Sequence, residues 1–522
     1  MDATSTDDIE PIVPLAERIV APLRDTSSPH EREPDPVDLE KVRKWQEERI
    51  ERKLRGEYES VLLRLGELVR DNAKTPMRIT SVRVDGANKT RPSFLHWVIE
   101  PQLTRAKSDS STLSDVLYST KSVARKLLET DLFHYVLPRL EGSKDVLAQP
   151  GDVDLILQTR QKGKYFLKTA TELGNQEGSV SVHARARNAF GGAETVEGVL
   201  SSGLRTRLAG HVSLSKPIWN PDLRTRGELS VFGVEKDFTG FASCVEGVRG
   251  LRASIKTANR RTLNEIAYEA SLRHIHALTE GASISIREEA GTSVKSALSH
   301  SWTYESRDDK AVPSRGGYLR TLNEFAGLGG DTAHVKHSTA FQLAHKLLSS
   351  TSISLSGRVG CLYPFASLSP SSFSSSTSIP RSRFNDRFQL GGPLDVRMFK
   401  QNGLGLRDGS DTLGGEVFWC LGLSVIRDLP GLSKESREGW KGNIKMHGFV
   451  NAGRLDLIER DRPLSHTLQR LVSKPCISAG IGLLYRLDPG VRVEINFGVP
   501  LVANKGDAVR RGVQVGIGVD FL

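Results

Sequence analysis

Residues 491–501 read VRVEINFGVPL and residues 512–522 read GVQVGIGVDFL. In the first, Val491, Val493, Ile495, Phe497 and Val499 lie on one side of an extended chain, with Arg492, Glu494, Asn496 and Gly498 on the other. In the second, Val513, Val515, Ile517, Val519 and Phe521 oppose Gln514, Gly516, Gly518 and Asp520. A period of two means strands with one apolar and one polar face.

The same alternation runs back to about Lys164. Val180, Val182, Ala184 and Ala186 oppose Ser181, His183, Arg185 and Arg187, and Ile266, Tyr268, Ala270 and Leu272 oppose Glu265, Glu269, Ser271 and Arg273. Candidates of this quality number about sixteen, with no convincing helix between them. A soluble sandwich or propeller also alternates. The polar faces here, however, carry Arg185, Arg187, Lys295, Arg358, Glu416, Arg492 and Glu494, which a dry core excludes and a wet lumen accepts. A propeller would also show a repeat of about forty residues, and none is visible. The apolar face therefore belongs to lipid, and residues 163–522 are expected to form a transmembrane antiparallel β-barrel of about sixteen strands.

Bulk properties agree with that reading. Hydrophobic residues make up 38% of the 522, because only one face of each strand need be apolar. There is no run of about eighteen apolar residues, so no helical span is expected. The acidic start (Asp2, Asp7, Asp8, Glu10) is neither a secretory signal nor an Arg-rich presequence. Cys244, Cys361, Cys420 and Cys476 lie far apart and read as packing residues, without metal-site spacing. The net charge of +10 is spread singly along the strands, so no nucleic acid is expected as a partner. No motif of nucleophilic, metallohydrolase or nucleotide-binding chemistry is present. The chain is not expected to be an enzyme, and it calls for no cofactor.

Two regions precede the barrel. Residues 1–75 begin as a Pro-rich polar tail with little to bury, and a disordered segment is expected there. It continues into helical spacing, with Leu39, Val42, Trp45, Ile50, Leu54, Tyr58, Val61, Leu65 and Leu68 among dense charge. That helix reads equally as a docking element or as a solvated helix packed on one side. Residues 76–162 read β-α-α-β-β: a strand at ITSVRVDG, helices at Pro92–Glu100 and Thr112–Thr130, then strands at HYVLPRL and VDLILQTR.

The connection at about 361–412 is long for a loop, and such loops are usually functional or disordered. It holds a serine-rich run (Ser367–Ser378) and then SRFNDRFQLGGPLDVRMFKQNGLGLRDG. A loop of this length can fold into the barrel. The Gly391–Gly392 turn and Phe399 would anchor it, and Arg397 would meet Glu416 or another inward carboxylate.

These segments resemble the BamA-like β-barrel insertases, which join polypeptide-transport-associated (POTRA) domains to a sixteen-stranded barrel. The resemblance covers about Met77–Leu522. It rests on DRFQLGGPLDVRMF for the sixth-loop motif, GFVNAGRL for the receiving strand, SRDDKAVPSRGGYLR for a central hairpin, and ISAGIGLLYRLDPGVRVEINFGVPL with GVQVGIGVDFL for the closing strands.

The resemblance implies one POTRA domain before the barrel and a sixth-loop motif of Gly391, Gly392, Val396, Arg397 and Phe399. The lumen that receives the loop would hold Glu416, Asn451 and Gly453. A lateral gate would lie between a first strand bearing Tyr165, Leu167 and Thr169 and a last strand bearing Gln514, Gly516, Val519 and Phe521. The sequence departs from the family at two places: Met398 stands where a glycine is usual, and Asn451 where an aspartate is usual. The expected pair is then Arg397 with a neutral amide, or a shift of Arg397 to Glu416. The last strand also resembles the C-terminal signal by which such insertases recognise clients.

One POTRA-like unit and the absence of a secretory signal look most like the family's mitochondrial branch, the central barrel of a sorting and assembly machinery. That implies a place in the mitochondrial outer membrane with the POTRA domain in the intermembrane space. The implied partners are unfolded β-barrel precursors, peripheral assembly subunits and the lipid bilayer. A passive pore or protein-translocating channel is the alternative, and a scaffold tethering other complexes through its N-terminal helix is a third reading.

Overall fold

The computed structural model describes residues 36–54, 66–174, 177–218, 223–365, 381–429, 444–488 and 491–518. The expected disordered tail, the serine-rich run, and Val519 and Phe521 lie outside them. Helix α1 (Pro36–Leu54) follows the helical spacing read from the sequence as far as Leu54; Tyr58, Val61 and Leu65 lie outside the described residues. Its Val42 and Trp45 are half-buried and Ile50 is exposed.

Strand β1 (Arg78–Asp85), helices α2 (Pro92–Leu103) and α3 (Leu113–Glu129), and strands β2 (Phe133–Gly142) and β3 (Asp152–Gln161) follow in the order β-α-α-β-β. The three strands form one sheet in the order β1-β3-β2. The α3 face carrying Val116, Val123 and Leu127 is fully buried, as its 3–4 residue spacing requires.

Sixteen strands, from Tyr165–Gly174 to Gly512–Gly518, form a second sheet in which every pairing is antiparallel between neighbours in the chain. Outward side chains are apolar and exposed, among them Val180, Val212, Val231, Leu251, Ile266, Ile495, Phe497 and Val515. Inward positions are polar and buried: Ser181, Ser213, Ser230, Ser254 and Ser271 on one wall, Glu494, Asn496 and Gln514 on another. This is the reverse of a soluble β protein and the arrangement lipid demands.

An even strand count brings the first strand's start and the last strand's end to the same end of the barrel. Residues 306–315 link strands at that end, and they tuck inward. Ala311 and Val312 pack on inward-facing Ile426 and Leu484, and the Ala311 carbonyl accepts from Arg492 Nη1 at 2.9 Å.

The expectation of no helix between barrel strands is corrected. Short helices α4 (Thr239–Ala242) and α5 (Ile284–Glu288), and the ten-residue α6 (Leu464–Ser473), lie in links at the opposite end. Outside the bilayer a loop can satisfy its own backbone by coiling, which the alternation of the neighbouring strands conceals. In α6, Leu464, Leu468 and Leu471 at helical spacing were the available signal.

Candidate functional site

Strands Thr351–Pro364 and Val417–Asp428 are joined by the long loop, whose described part begins at residue 381. Gly391 and Gly392 turn the chain with φ of +104° and +126°, values open to glycine at no steric cost. The tip closes through a hydrogen bond from Gly392 N to Val396 O at 3.3 Å.

The next residue, Arg397, is wholly buried. Its Nε donates to Glu494 Oε2 at 2.8 Å and its Nη2 to Glu494 Oε1 at 3.0 Å, the two-pronged geometry a guanidinium prefers. Nη1 donates to Asn451 Oδ1 at 3.3 Å, and the guanidinium carbon lies 5.1 Å from the Phe449 ring centre. Glu494 also accepts from Arg492 at 2.6 Å and from Asn496 Nδ2 at 2.8 Å. One carboxylate therefore serves two arginines, and its lone pairs are saturated by three residues. Asn451 uses its other end as well, since Nδ2 donates to Asp395 O at 3.1 Å.

Apolar contacts hold the same segment. Val396 and Phe399 are fully buried with Leu390, Leu404, Phe418, Cys420, Leu455 and Cys476. Burying side chains of this size contributes about 1.5–3 kcal/mol each. A Cβ on Gly453 would stand 2.8 Å from Val396 Cγ2, so the missing side chain makes the seat for Val396.

Past Arg397 the loop meets the last strand. Met398, with φ of +66°, adopts the left-handed conformation that suits the glycine usual there. Its N donates to Gln514 Oε1 at 2.9 Å, and Gln514 Nε2 donates to Phe399 O at 2.8 Å. The Gln514 amide thus satisfies one backbone donor and one backbone acceptor of the loop, on consecutive residues. Backbone bonds from Arg510 N to Met398 O (2.9 Å) and from Lys400 N to Ala508 O (2.8 Å) extend the contact.

The loop is tied at two further places. Asp386, buried, accepts from Arg273 at 2.7 and 3.3 Å, with Lys295 at 3.7 Å; Lys336 Nζ donates to its carbonyl at 2.7 Å. Glu324, paired with Lys295 at 2.7 Å and His334 at 2.9 Å, completes the cluster. Asp411 accepts from Ser243 Oγ at 2.6 Å and Ser283 N at 2.7 Å, and Asp408 from Ser285 Oγ at 2.8 Å.

The structure brings together Gly391, Gly392, Val396, Arg397, Phe399, Asn451 and Gly453. It does not bring Glu416 to Arg397. Glu416 is engaged by Arg460 at 3.0 Å and by Ile458 N at 3.0 Å, at the mouth of the barrel. The partner is Glu494, an inward acid at the right depth on a facing strand.

Of the seam residues, Tyr165, Leu167 and Thr169 are exposed on the outward face of the first strand, while Gln514 and Gly516 are buried on the inward face of the last. Gln514 is thus a loop-holding residue, and Gly516 stands opposite Glu494 in register. Loop retention by Gln514 and Asp386 is not evident from the sequence. Its signal was an inward amide beside the inward Asn496.

The first and last strands are the two ends of the sixteen-stranded sheet. They approach within 8 Å, yet among the described residues no ladder of backbone hydrogen bonds joins them.

Comparison with known proteins places this geometry. Residues 188–521 match the Omp85 superfamily domain. A SAM50-like protein of Schizosaccharomyces pombe is 32% identical over 465 residues, covering 88% of this chain and 94% of that protein. The sorting and assembly machinery component 50 homolog of Bos taurus is 30% identical over 447 residues, covering 85% and 90%. The crystal structure of BamA from Haemophilus ducreyi lacking POTRA domains 1–3 superposes with a TM-score of 0.67 at 14% identity, covering 85% of this chain and 84% of that one, a likeness of fold. The family match over most of the barrel and the near full-length relatives agree: this chain belongs to the Omp85 superfamily.

Proposed function

We propose that this chain inserts and folds β-barrel precursors into the mitochondrial outer membrane, using a lateral gate between its first and last strands. The likeness to the fission-yeast and bovine sorting and assembly proteins supports the compartment and the client class. The observation that carries the gate is the seam: two neighbouring edges without a described ladder between them. In lipid an unpaired strand edge is costly, so a precursor strand that pairs with it is stabilised at once. The free energy comes from precursor folding, and no nucleotide or cofactor is needed.

The wall beside the seam is also short. The first four strands run 10, 11, 9 and 12 residues, against 15 in each strand from Thr262–His276 to His334–Leu348. A shorter apolar band strains the bilayer next to the seam, lowering the cost of admitting a new strand.

Residues 76–162 are read as a POTRA domain in the intermembrane space, where its sheet edge would receive precursors or assembly subunits. In a passive pore the loop that Arg397, Val396 and Phe399 hold against the wall would be mainly a plug, and the seam would never need to open. Reconstitution separates the two readings: the chain in liposomes should drive protease-resistant insertion of an added β-barrel precursor. Ion conductance without insertion would contradict the insertase.

A further inference from the structure

The outer wall carries an ionised group with no ion-pair partner among the described residues. Arg249, on strand Val245–Ala258, follows the register of Leu251, Ala253 and Ile255 and so faces outward, where it is exposed. It is flanked in register by Gly233 and Leu272. Among the described residues it makes no ion pair or hydrogen bond. A lone guanidinium on a lipid-facing strand is costly unless something in the membrane neutralises it.

Two adjoining hollows flank Arg249. On one side lies an apolar hollow of about 760 Å³, floored by Gly198, Gly210 and Gly233 and walled by exposed Leu200, Val212 and Val231. On the other lies a hollow of about 530 Å³ toward the strand ends, where Glu235, His274, His276 and Thr292 add polar atoms. The two hollows share Leu200, Gly210, Gly233 and Arg249. His274 Nδ1 lies 3.1 Å from Thr292 Oγ1, and the His274 and His276 rings stack with centres 5.2 Å apart. Arg249 stands four residues in from Val245, at the barrel end opposite to where the chain enters at Tyr165. The polar hollow therefore faces that leaflet's headgroups and the apolar hollow faces its acyl region.

We propose that this groove is a binding site for an anionic glycerophospholipid, its phosphate on Arg249 and one acyl chain along the glycine-floored hollow. Charge selects the occupant: the one carboxylate lining the groove, Glu235, is paired with Arg207 at 3.6 Å, which leaves Arg249 without an ion-pair partner among the described residues, next to donors that suit a phosphate and a trough that suits a hydrocarbon chain. This rests on the barrel lying in a bilayer and is independent of insertase activity, so either claim can fail without the other.

The test uses the full-length protein in detergent, equilibrated with a mixture of phosphatidylcholine and phosphatidylinositol and then mildly delipidated, with native mass spectrometry reading the lipid retained. The wild type should hold phosphatidylinositol in preference. Arg249→Gln should lower that retention about fivefold and leave phosphatidylcholine unchanged. Gly210→Leu, whose Cβ would meet only Leu200 at 3.8 Å, should lower retention of both lipids by filling the trough. Gly448→Leu, an outward glycine with nothing within 4 Å, should change neither. Equal retention of the two lipids by the wild type, or phosphatidylinositol retention untouched by Arg249→Gln, overturns the proposal. So does loss of a co-purifying protein, in place of a lipid, from the Arg249 variant.

Discussion

Arg397 and Glu494 meet head-on inside the barrel, two nitrogens to two oxygens at 2.8 and 3.0 Å, with both side chains wholly buried. They come from a loop tip and a barrel strand 97 residues apart in sequence. Glu494 also neutralises Arg492, and this asymmetry leads to the first prediction.

Glu494→Gln leaves two buried guanidiniums without a full counter-charge, whereas Arg397→Gln leaves Glu494 still paired with Arg492. Both should loosen the loop, and the glutamate change should cost more: about 3–5 kcal/mol, the usual range for breaking a buried pair from one side. Thermal unfolding and proteolysis of the loop, compared across a double-mutant cycle, give the order. Equal costs would mean that Arg492 draws nothing from Glu494.

Gln514→Ala orphans the buried Met398 N–H and weakens the hold on Phe399 O, at about 1–3 kcal/mol for each group left unsatisfied. Gln514→Glu, although nearly isosteric, places an oxygen against the Phe399 carbonyl and should be no better. If the glutamate variant retained the loop like wild type, measured by protease protection of residues 381–416, the Gln514 clamp would be refuted.

Gly453→Val should displace Val396 from its seat, since even a Cβ there would lie 2.8 Å from Val396 Cγ2 and 3.0 Å from Cys420 Cβ. The expected loss is about 1–3 kcal/mol of stability, the range for overpacking. Gly448→Val, on the outward face of the same strand, serves as control. Similar melting shifts for the two would contradict the account.

Met398→Gly restores the residue usual in this loop and frees a φ of +66°, a gain of about 1 kcal/mol. It also removes a fully buried side chain, worth about 1.5–3 kcal/mol. Burial should outweigh strain, so the glycine variant should hold its loop less tightly by about 1 kcal/mol. A higher melting temperature would show that strain dominates at this position.

What the sequence revealed and concealed follows from the reach of each signal. A period of two assigns the two faces of a strand, so the outward Val513 and Val515 and the inward Glu494 and Gln514 were legible one residue at a time. The motif placed Arg397 inside. Which acid receives Arg397 depends on stagger between strands far apart in the chain, and nothing local distinguishes Glu416 from Glu494. Its place on the last strand puts Gln514 at the seam, but its inward side chain is taken by the loop. Helix α6 is hidden from a period-two reading because links outside the bilayer escape the constraint that makes the strands regular.

The seam decides the central claim. In a chain whose native Cys244, Cys361, Cys420 and Cys476 are replaced, one cysteine is placed on Tyr165–Gly174 and another on Gly512–Gly518, and precursor insertion is measured with the pair oxidised and again after reduction. A gated insertase loses insertion when the seam is locked and recovers it when the disulfide is reduced. Undiminished insertion through a seam shown to be fully crosslinked would contradict the account.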